Sequence, residues 1–341
     1  MVNSHYIPQF ILRNFCSNNK IQYYNKKTHL TETRSTKSVF SEKGYYPEQL
    51  EKDLCHKIEY QFSVVLNSKI LNAKNSITLN ADDLWIVKKY LIITMLRVHD
   101  DNVETNVLFR FLLRDGFIDN PDEFKEMFSG DFFDNISRIL DCPNPQTALN
   151  MAFEDYNMPY LSVIKDVMYS YNVFVKTNKT KEEFVMPDRG WANYCGIISV
   201  KKLNAIMNMP IFSFDPFAQQ ILKMSSPQDY AIFPLSKNLA LIAVSPIIQI
   251  MLPNSPYKMI FPPEAPTLSK CMGFGNNKLF APPNKQLIAR TKLYNYEIHQ
   301  LKLSDVVFLN SLLIENSKSY IGFSDYDKIK HSFENNSIII E

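Results

Sequence analysis

The segment HYIPQFILRNF, residues His5 to Phe15, sets four polar or charged side chains among seven bulky or rigid residues. A chain terminus is usually frayed and polar, so this density predicts that the segment is packed into the fold. Buried polar groups need hydrogen-bond partners. The segment is therefore a structural clasp or one wall of a site, and its residues leave both interpretations open.

The composition describes a large and nearly neutral protein. The chain has 341 residues, of which 45% are hydrophobic, and this is enough for a sizeable core. Lys and Arg number 37 against 35 Asp and Glu, so the net charge of +2 gives no global attraction to nucleic acid or to an anionic membrane. Eight glycines are few for this length, and this argues against glycine-rich phosphate loops.

The cysteines and the apolar runs predict a cytoplasmic protein without a membrane span. Five cysteines without a C-x-x-C pair are typical of reduced thiols, and they make a structural zinc site a poor fit. The first residues lack the charged start and apolar stretch of a secretory signal. The longest apolar run, residues 239–252, is shorter than the roughly twenty residues that a membrane-spanning helix needs.

The first half of the chain predicts a hairpin followed by helices. Alternation over 20–33 indicates a β-hairpin, and apolar residues every three or four positions from Glu48 indicate a helix that ends near Asn75. Asn80 is a suitable cap for a helix that runs to about Asp101. Further helices are predicted over 103–114, 121–128, 132–140, 145–155 and 159–169.

The second half predicts strands and a final helix. The strands are short, apolar and rich in β-branched or aromatic residues, at 173–175, 183–186, 196–200, 231–234 and 239–244. A helix follows over 304–320. Separate blocks of helices and strands favour an α+β fold with an N-terminal motif and β-hairpin, a central helical block and a mostly antiparallel or mixed C-terminal sheet.

We expect one compact domain over residues 1–341. Its sub-regions are the motif and hairpin (1–47), the helical block (48–170), the mixed β region with its helix (171–325) and a loose tail (326–341).

The opening motif resembles that of a bacterial family catalogued as domain of unknown function 4238. The sharpest element is His5-x-x-Pro8-x-x-x-Leu12-Arg13-Asn14-Phe15. The resemblance extends from His5 to about Asp325. Looser matches are Tyr46 before the first long helix, Glu59 on that helix, Arg97 near the end of the next, Ile232-Phe233-Pro234-Leu235 and Asn310.

One strand departs from the family pattern. Glu183-Phe184-Val185-Met186-Pro187-Asp188 resembles the family's strand that ends in a Ser-Asp-Asn-Pro-like turn, but here Pro187 precedes Asp188 and Arg189-Gly190 replaces Asn-Pro. The aspartate is retained. The resemblance implies a fold and candidate positions, without an established activity.

Three side chains are candidates for catalysis: His5, Glu59 and Asp188. An imidazole suits proton transfer near neutral pH, and carboxylates suit a hard divalent metal with a base beside it. If the fold brings the three together, a metal-dependent hydrolytic site results. The structural alternatives are a histidine that pins the terminus and an aspartate that forms a turn or a helix cap.

Other side chains are candidates for substrate binding: Arg13, Asn14, Lys26, Lys27 and Arg97. Arginine binds phosphate or carboxylate in a bidentate manner, although Arg13 could instead pair with Glu59, and a buried Arg97 requires a carboxylate. Lysines interleaved with tyrosines on an exposed hairpin could hold single-stranded nucleic acid. The more common role of such lysines is to protect a sheet edge.

These residues predict a hydrolase that acts on nucleic acid inside a bacterial cell, as a defence or toxin-type effector, with a divalent metal as its possible cofactor. The alternative is a non-catalytic module that binds nucleic acid or protein and uses the same polar residues for structure.

Overall fold

The fold is α+β, as the sequence predicts. The computed structural model describes residues 3–97, 119–120, 132–154, 162–177, 180–194, 230–244 and 293–338. The strands are β1 (Asn3–His5), β2 (Lys20–Asn25), β3 (Thr31–Ser35), β4 (Ser41–Lys43), β5 (Ser76–Leu79), β6 (Tyr171–Lys176), β7 (Met186–Pro187), β8 (Ala192–Tyr194), β9 (Tyr230–Ser236), β10 (Leu239–Val244), β11 (Tyr294–Gln300) and β12 (Tyr320–Phe323). The α-helices are α1 (Gln9–Leu12), α2 (Glu48–Leu54), α3 (Tyr60–Val65), α4 (Ala81–Arg97), α5 (Phe132–Leu140), α6 (Pro145–Glu154), α7 (Ser162–Tyr169), α8 (Leu303–Asn316) and α9 (Lys330–Asn335).

The described strands form three sheets. Strands β1 and β4 pair with each other, and a four-stranded sheet has the order β3-β2-β12-β7. A six-stranded sheet has the order β5-β11-β6-β10-β9-β8. It is mixed, because β11 runs parallel to β6 while the other neighbours are antiparallel. The mixed sheet with a following helix confirms the predicted fold class.

The predicted hairpin is formed by β2 and β3. The side-chain oxygen of Asn25 accepts the backbone N–H groups of Lys27 and Thr28, and this closes the turn. Tyr23 and Tyr24 are both buried, and Tyr23 stacks on Tyr320 with ring centroids 4.5 Å apart. The hairpin tyrosines are therefore part of the core and do not offer open faces to a nucleobase.

The first long helix differs in detail from the prediction. It runs from Glu48 to Ile70 as α2, a π-helical turn (Cys55–Glu59), α3 and a second π-helical turn (Leu66–Ile70). It ends before Asn75 because the chain turns into β5. The apolar side of this helix is buried, as the spacing predicts.

Helix α4 begins at the predicted cap. The Asn80 side chain accepts the Asp83 N–H at 2.8 Å, and the Asp83 carboxylate accepts the Asn80 N–H at 3.0 Å. This reciprocal pair satisfies donors at the helix start. The last described residue of the helix is Arg97, and the predicted helices over 103–114 and 121–128 lie outside the described residues, as does the predicted strand over 196–200.

The C-terminal region also departs from the prediction. Helix α8 starts at Leu303 and stops at Asn316, because the chain then forms β12. The strand predicted over 183–186 is short and begins only at Met186. The tail predicted to be loose instead contains α9, in which Phe333 is fully buried.

Three lysines donate to the carbonyl groups at the C-terminal ends of helices that lie elsewhere in the chain. Lys26 closes α8, Lys88 closes α7 and Lys89 closes α5. Their acceptors are the carbonyl oxygens of Ile314 and Ser317, of Val167 and Ser170, and of Leu140 and Cys142, respectively. Burial lowers the pKa of Lys88 to about 7. These side-chain amino groups add hydrogen bonds at helix ends, where the last carbonyls have no following helical turn to donate to them.

Among the described residues, no helix combines the length and the hydropathy that a bilayer crossing requires.

Candidate functional site

The candidate site is built around Arg97, at the end of α4. This residue is 1% exposed, and its Nη2 forms an ion pair and a hydrogen bond with the carboxylate of Glu59. Glu59 is the last residue of the π-helical turn that follows α2. Leaving a buried guanidinium unpaired costs several kcal/mol, so the pair fixes the end of α4 against the first long helix.

A second carboxylate, Glu51, joins this pair to the N-terminal segment. It accepts hydrogen bonds from the backbone N–H of His5 and the hydroxyl of Ser4. Electrostatic interactions connect Glu51 to both Arg97 and Glu59. The motif at the chain start is therefore attached to the helical block through a carboxylate and not through an apolar contact alone.

The two carboxylates have different environments. Burial raises the pKa of Glu51, and the neighbouring Glu59 carboxylate adds to the rise, while Arg97 and the two donated hydrogen bonds oppose it. Glu59 instead receives the ion pair from Arg97 directly. Neighbouring carboxyls whose environments differ in this way are a recurrent basis for separate acid and base roles.

Tyr46 forms the inner wall of the cluster. Its hydroxyl donates to the backbone carbonyl of Arg97 at 2.9 Å, and its backbone N–H donates to the Ser4 hydroxyl at 3.4 Å. Burial raises the pKa of the Tyr46 hydroxyl far above its usual value, so this hydroxyl stays protonated and acts as a donor.

The cluster opens to solvent along the first long helix. Glu59 keeps 21% of its side chain exposed, and Cys55, one helical turn before it, is exposed. Both lie in the π-helical turn. Such turns are frequent at functional sites because they reposition side chains along a helix.

Two polar groups of Arg97 are not satisfied by the described part of the chain. Its Nε and Nη1 are buried and have no hydrogen-bond partner there. Buried donors in native proteins almost always have a partner, so an orphaned pair on a cation is a feature that needs explanation. An oxyanion that reaches the cluster would satisfy it.

We will refer to Ser4, His5, Tyr46, Glu51, Glu59 and Arg97 as the Arg97 cluster. It brings two carboxylates together with one guanidinium, which can stabilise negative charge. This combination is suited to acid–base cleavage of an ester or a phosphodiester.

Replacing Glu51 by glutamine is expected to raise the free energy of unfolding at neutral pH by about 1 kcal/mol, since residues adapted to function often cost stability. Because burial holds the Glu51 pKa above its unfolded value, the folded state binds more protons than the unfolded state between the two pKa values. The wild type therefore loses stability as pH rises through that window, and the Glu51→Gln variant does not.

Denaturant unfolding of both proteins at a series of pH values measures this difference. The gap is expected to close as the pH falls below the unfolded-state value of a glutamate, about 4.3. A gap that stays constant from acid to neutral pH contradicts the assignment.

The structure places Asp188 in a different environment from Glu59. Its carboxylate is buried and accepts the backbone N–H groups of Lys318, Ser319 and Tyr320 at 2.8, 2.6 and 2.9 Å. Burial raises its pKa, and the three donated hydrogen bonds and Arg189 oppose the rise. Asp188 thus holds the turn between α8 and β12.

Lys26 acts on the same turn. Its ammonium group binds the carbonyls of Ile314 and Ser317, and its backbone N–H donates to the carbonyl of Ser319 at 2.8 Å. Lys26 was predicted to bind substrate, but it donates to the carbonyls of this internal turn. Asp188 was predicted to be catalytic, but it accepts the N–H groups of the same turn.

The other predicted binding residues are divided between surface and interior. Arg13 and Lys27 are exposed, and the ion pair considered between Arg13 and Glu59 is absent, because Arg97 takes Glu59. The amide of Asn14 donates to the carbonyl of Leu235 at 3.0 Å, and this attaches the motif to strand β9.

The apolar side of the motif packs closely. A cavity of about 10 Å³ lies beside the motif. Its lining includes Tyr6, Ile7 and Pro8 of the motif together with Tyr90 and Phe233. The cavity has room for roughly one water molecule, so it is not a substrate pocket. Next to the motif, the ionisable groups suited to catalysis belong to the Arg97 cluster.

The predicted metal trio of His5, Glu59 and Asp188 does not fit a divalent cation. Glu59 is engaged in an ion pair with Arg97, and both oxygens of Asp188 accept backbone donors elsewhere. Within the described ranges, no three His, Cys, Asp or Glu side chains are grouped so that they could share a metal.

Sequence reasoning missed Glu51 as a site residue. The signal was its spacing, since Glu51, Cys55 and Glu59 recur every four residues on one helix and therefore lie along one side of it. Its connection to His5 runs through a backbone N–H, which no side-chain pattern encodes.

A family model described as "Protein of unknown function (DUF4238)" matches residues 3–327. No curated protein and no solved structure matches the chain.

Proposed function

Since the chain belongs to the family DUF4238, whose description assigns no activity, we propose a function from the Arg97 cluster itself. The protein is a ribonuclease that cleaves RNA by acid–base catalysis. It acts inside a bacterial cell as a defence or toxin-type effector.

The observation that carries this proposal is the pairing of Glu51 and Glu59 around one buried arginine. Glu59 is held beside the cation Arg97, and burial raises the pKa of Glu51. We assign the partly exposed Glu59 as the proton acceptor, and Glu51, whose raised pKa favours its protonated form, as the proton donor.

RNA supplies its own nucleophile, so the reaction can be written with these groups alone. Glu59 takes the proton of a 2′-hydroxyl, and the 2′-oxygen forms a bond to the neighbouring phosphorus. The bond from phosphorus to the 5′-oxygen breaks, and Glu51 donates a proton to that oxygen. The products are a 2′,3′-cyclic phosphate and a 5′-hydroxyl, and both electrons and protons balance.

Arg97 provides the charge that the phosphate needs. Its positive charge, held beside the partly exposed Glu59, can stabilise the negative charge that builds up on the phosphate oxygens. Arg13 and Lys27 are exposed cations of the N-terminal unit, and they can attract the strand over a longer range.

Glu51→Gln and Glu59→Gln are each expected to lower the rate of RNA cleavage by about 100-fold, since a positioned acid or base contributes at least this factor. Cleavage of a fluorophore–quencher RNA, with and without magnesium or manganese, measures it. A DNA strand of the same sequence is expected to resist cleavage because it lacks the 2′-hydroxyl.

Glu48→Gln is the matched control. Glu48 lies on the same helix, but its ion-pair partner within the described residues is Lys52, at 2.8 Å, and both side chains are exposed. The cleavage rate of this variant is expected to equal that of the wild type. Wild-type protein that cleaves no RNA under any of these conditions, or equal rates for all four proteins, overturns the proposal.

A non-catalytic module that binds nucleic acid or protein is the second candidate. The observation that favours it is the internal use of Asp188 and Lys26, whose polar groups bind the turn after α8. Binding of RNA without cleavage, unaffected by Glu51→Gln or Glu59→Gln, would select this candidate.

A further inference from the structure

Tyr60 is an exposed aromatic residue directly beside the Arg97 cluster. It is the first residue of α3 and follows Glu59 in the chain, and 69% of its surface is open to solvent. The other exposed large hydrophobic residues of the described ranges are aliphatic: Leu30, Val64, Leu293 and Leu303.

The position of Tyr60 follows from the helix geometry. Neighbouring residues on a helix point about 100° apart, so Tyr60 stands at the flank of Glu59 and does not cover it. Exposed residues recur at positions 52, 56, 60 and 64, and they form a row next to Glu51, Cys55 and Glu59. Tyr60 is the aromatic member of this row.

A single exposed aromatic residue is ordinary on a protein surface. Tyr60 differs because it directly follows Glu59, the proposed base, in the chain. A strand whose phosphate reaches Glu59 must place the adjoining nucleotide within a few ångströms of that carboxylate. An open aromatic face there can stack on a base of any type.

We infer that Tyr60 is a substrate-positioning residue that stacks on a base of single-stranded RNA beside the cleaved phosphate. The inference rests on the proposed ribonuclease function and names the form of its substrate. A base within a duplex is already stacked on its neighbours, so the strand must be unpaired at this point.

The test measures binding in a Glu59→Gln background, which separates binding from cleavage. The probe is a single-stranded RNA of about 12 nucleotides with 2-aminopurine at one position, since stacking on an aromatic ring quenches that fluorophore and single-strand sites cover ~4–16 nucleotides. Tyr60→Ala is expected to raise the dissociation constant for this RNA about tenfold and to abolish the quenching. Tyr60→Phe is expected to retain both, because stacking requires the ring and not the hydroxyl.

Leu30→Ala is the matched control. Leu30 lies in the β2–β3 turn, is 62% exposed and is remote in sequence from the Arg97 cluster, so its replacement is expected to leave affinity unchanged. A duplex RNA of the same sequence is expected to bind more weakly than the single strand, and its affinity is expected to be the same with and without the Tyr60→Ala substitution.

The outcomes separate the two proposals. Equal affinity for the single strand with and without the Tyr60→Ala substitution, or no binding by either protein, overturns the role of Tyr60, while the cleavage assay still decides the ribonuclease. Tenfold weaker binding by Tyr60→Ala, together with a wild type that never cleaves, supports the stacking contact in a non-catalytic binding module.

Discussion

Asp188→Ala is expected to lower the free energy of unfolding by about 4 kcal/mol or more, because hydrogen bonds to a charged group contribute roughly 1.5–3 kcal/mol each. The substitution removes the acceptor of three consecutive backbone N–H groups, those of residues 318–320. The carboxylate is buried, so water cannot easily replace it. Denaturant unfolding measures the loss.

The Asp188→Ala substitution is expected to destabilise both the end of α8 and strand β12. The three N–H groups connect the end of α8 to β12, and β12 pairs with β2 of the hairpin and with β7. Asp188→Asn keeps one acceptor oxygen and is expected to lose about half as much as the alanine variant, since it removes the charge and one acceptor position.

Glu297→Ala is a suitable control, since Glu297 is an exposed acid on β11. Exposed substitutions of this kind usually change stability by less than about 0.5 kcal/mol. Unfolding of Asp188→Ala at the same denaturant concentration as Glu297→Ala would show that Asp188 does not support the turn.

Arg97→Met is expected to lower the free energy of unfolding by about 3–5 kcal/mol, as is usual when one partner of a buried ion pair is removed. The substitution leaves Glu59 without its cation, next to a second carboxylate at Glu51. The partly buried Glu59 carboxylate then has no compensating cation. Chemical denaturation of the wild type and the variant measures this loss.

A double-mutant cycle identifies its source. Glu59→Gln removes the charge that Arg97→Met leaves uncompensated, so the double variant is expected to be more stable than the sum of the two single losses predicts. Strictly additive losses would mean that Arg97 and Glu59 do not act on each other.

The sequence was most informative where a periodic pattern coincides with a local cap. The spacing from Glu48 onward indicated the first long helix, and Asn80 marked the start of α4 at the residue where it begins. Both signals act over a few residues, so neighbouring side chains suffice to encode them. The two π-helical turns leave no comparable pattern.

Contacts between distant segments were harder to predict. From the sequence alone, Arg97 could either bind substrate or pair with a carboxylate of the protein. The packing of α4 on the first long helix selects the second alternative, with Glu59 as the partner. Asp188 resembled a functional carboxylate after a strand, but its donors lie about 130 residues later, at 318–320. Nothing local in the sequence specifies such a pairing.

The loose tail was mispredicted for the same reason. Residues around His331 are polar, yet the buried carboxylate of Glu182 accepts the N–H and the hydroxyl of Ser332 and also contacts the His331 ring. These contacts bring α9 onto the fold from a segment about 150 residues away.

The lysines that close helix ends have a consequence for how the protein folds. Each ammonium group belongs to an element far along the chain from the helix it completes, with separations of 288, 79 and 51 residues for the first acceptor of each lysine. Helices α8, α7 and α5 therefore reach their full hydrogen bonding only after those elements have docked. Local helix formation and global assembly are thereby made interdependent, and this favours unfolding of the connected regions in one concerted transition over gradual fraying.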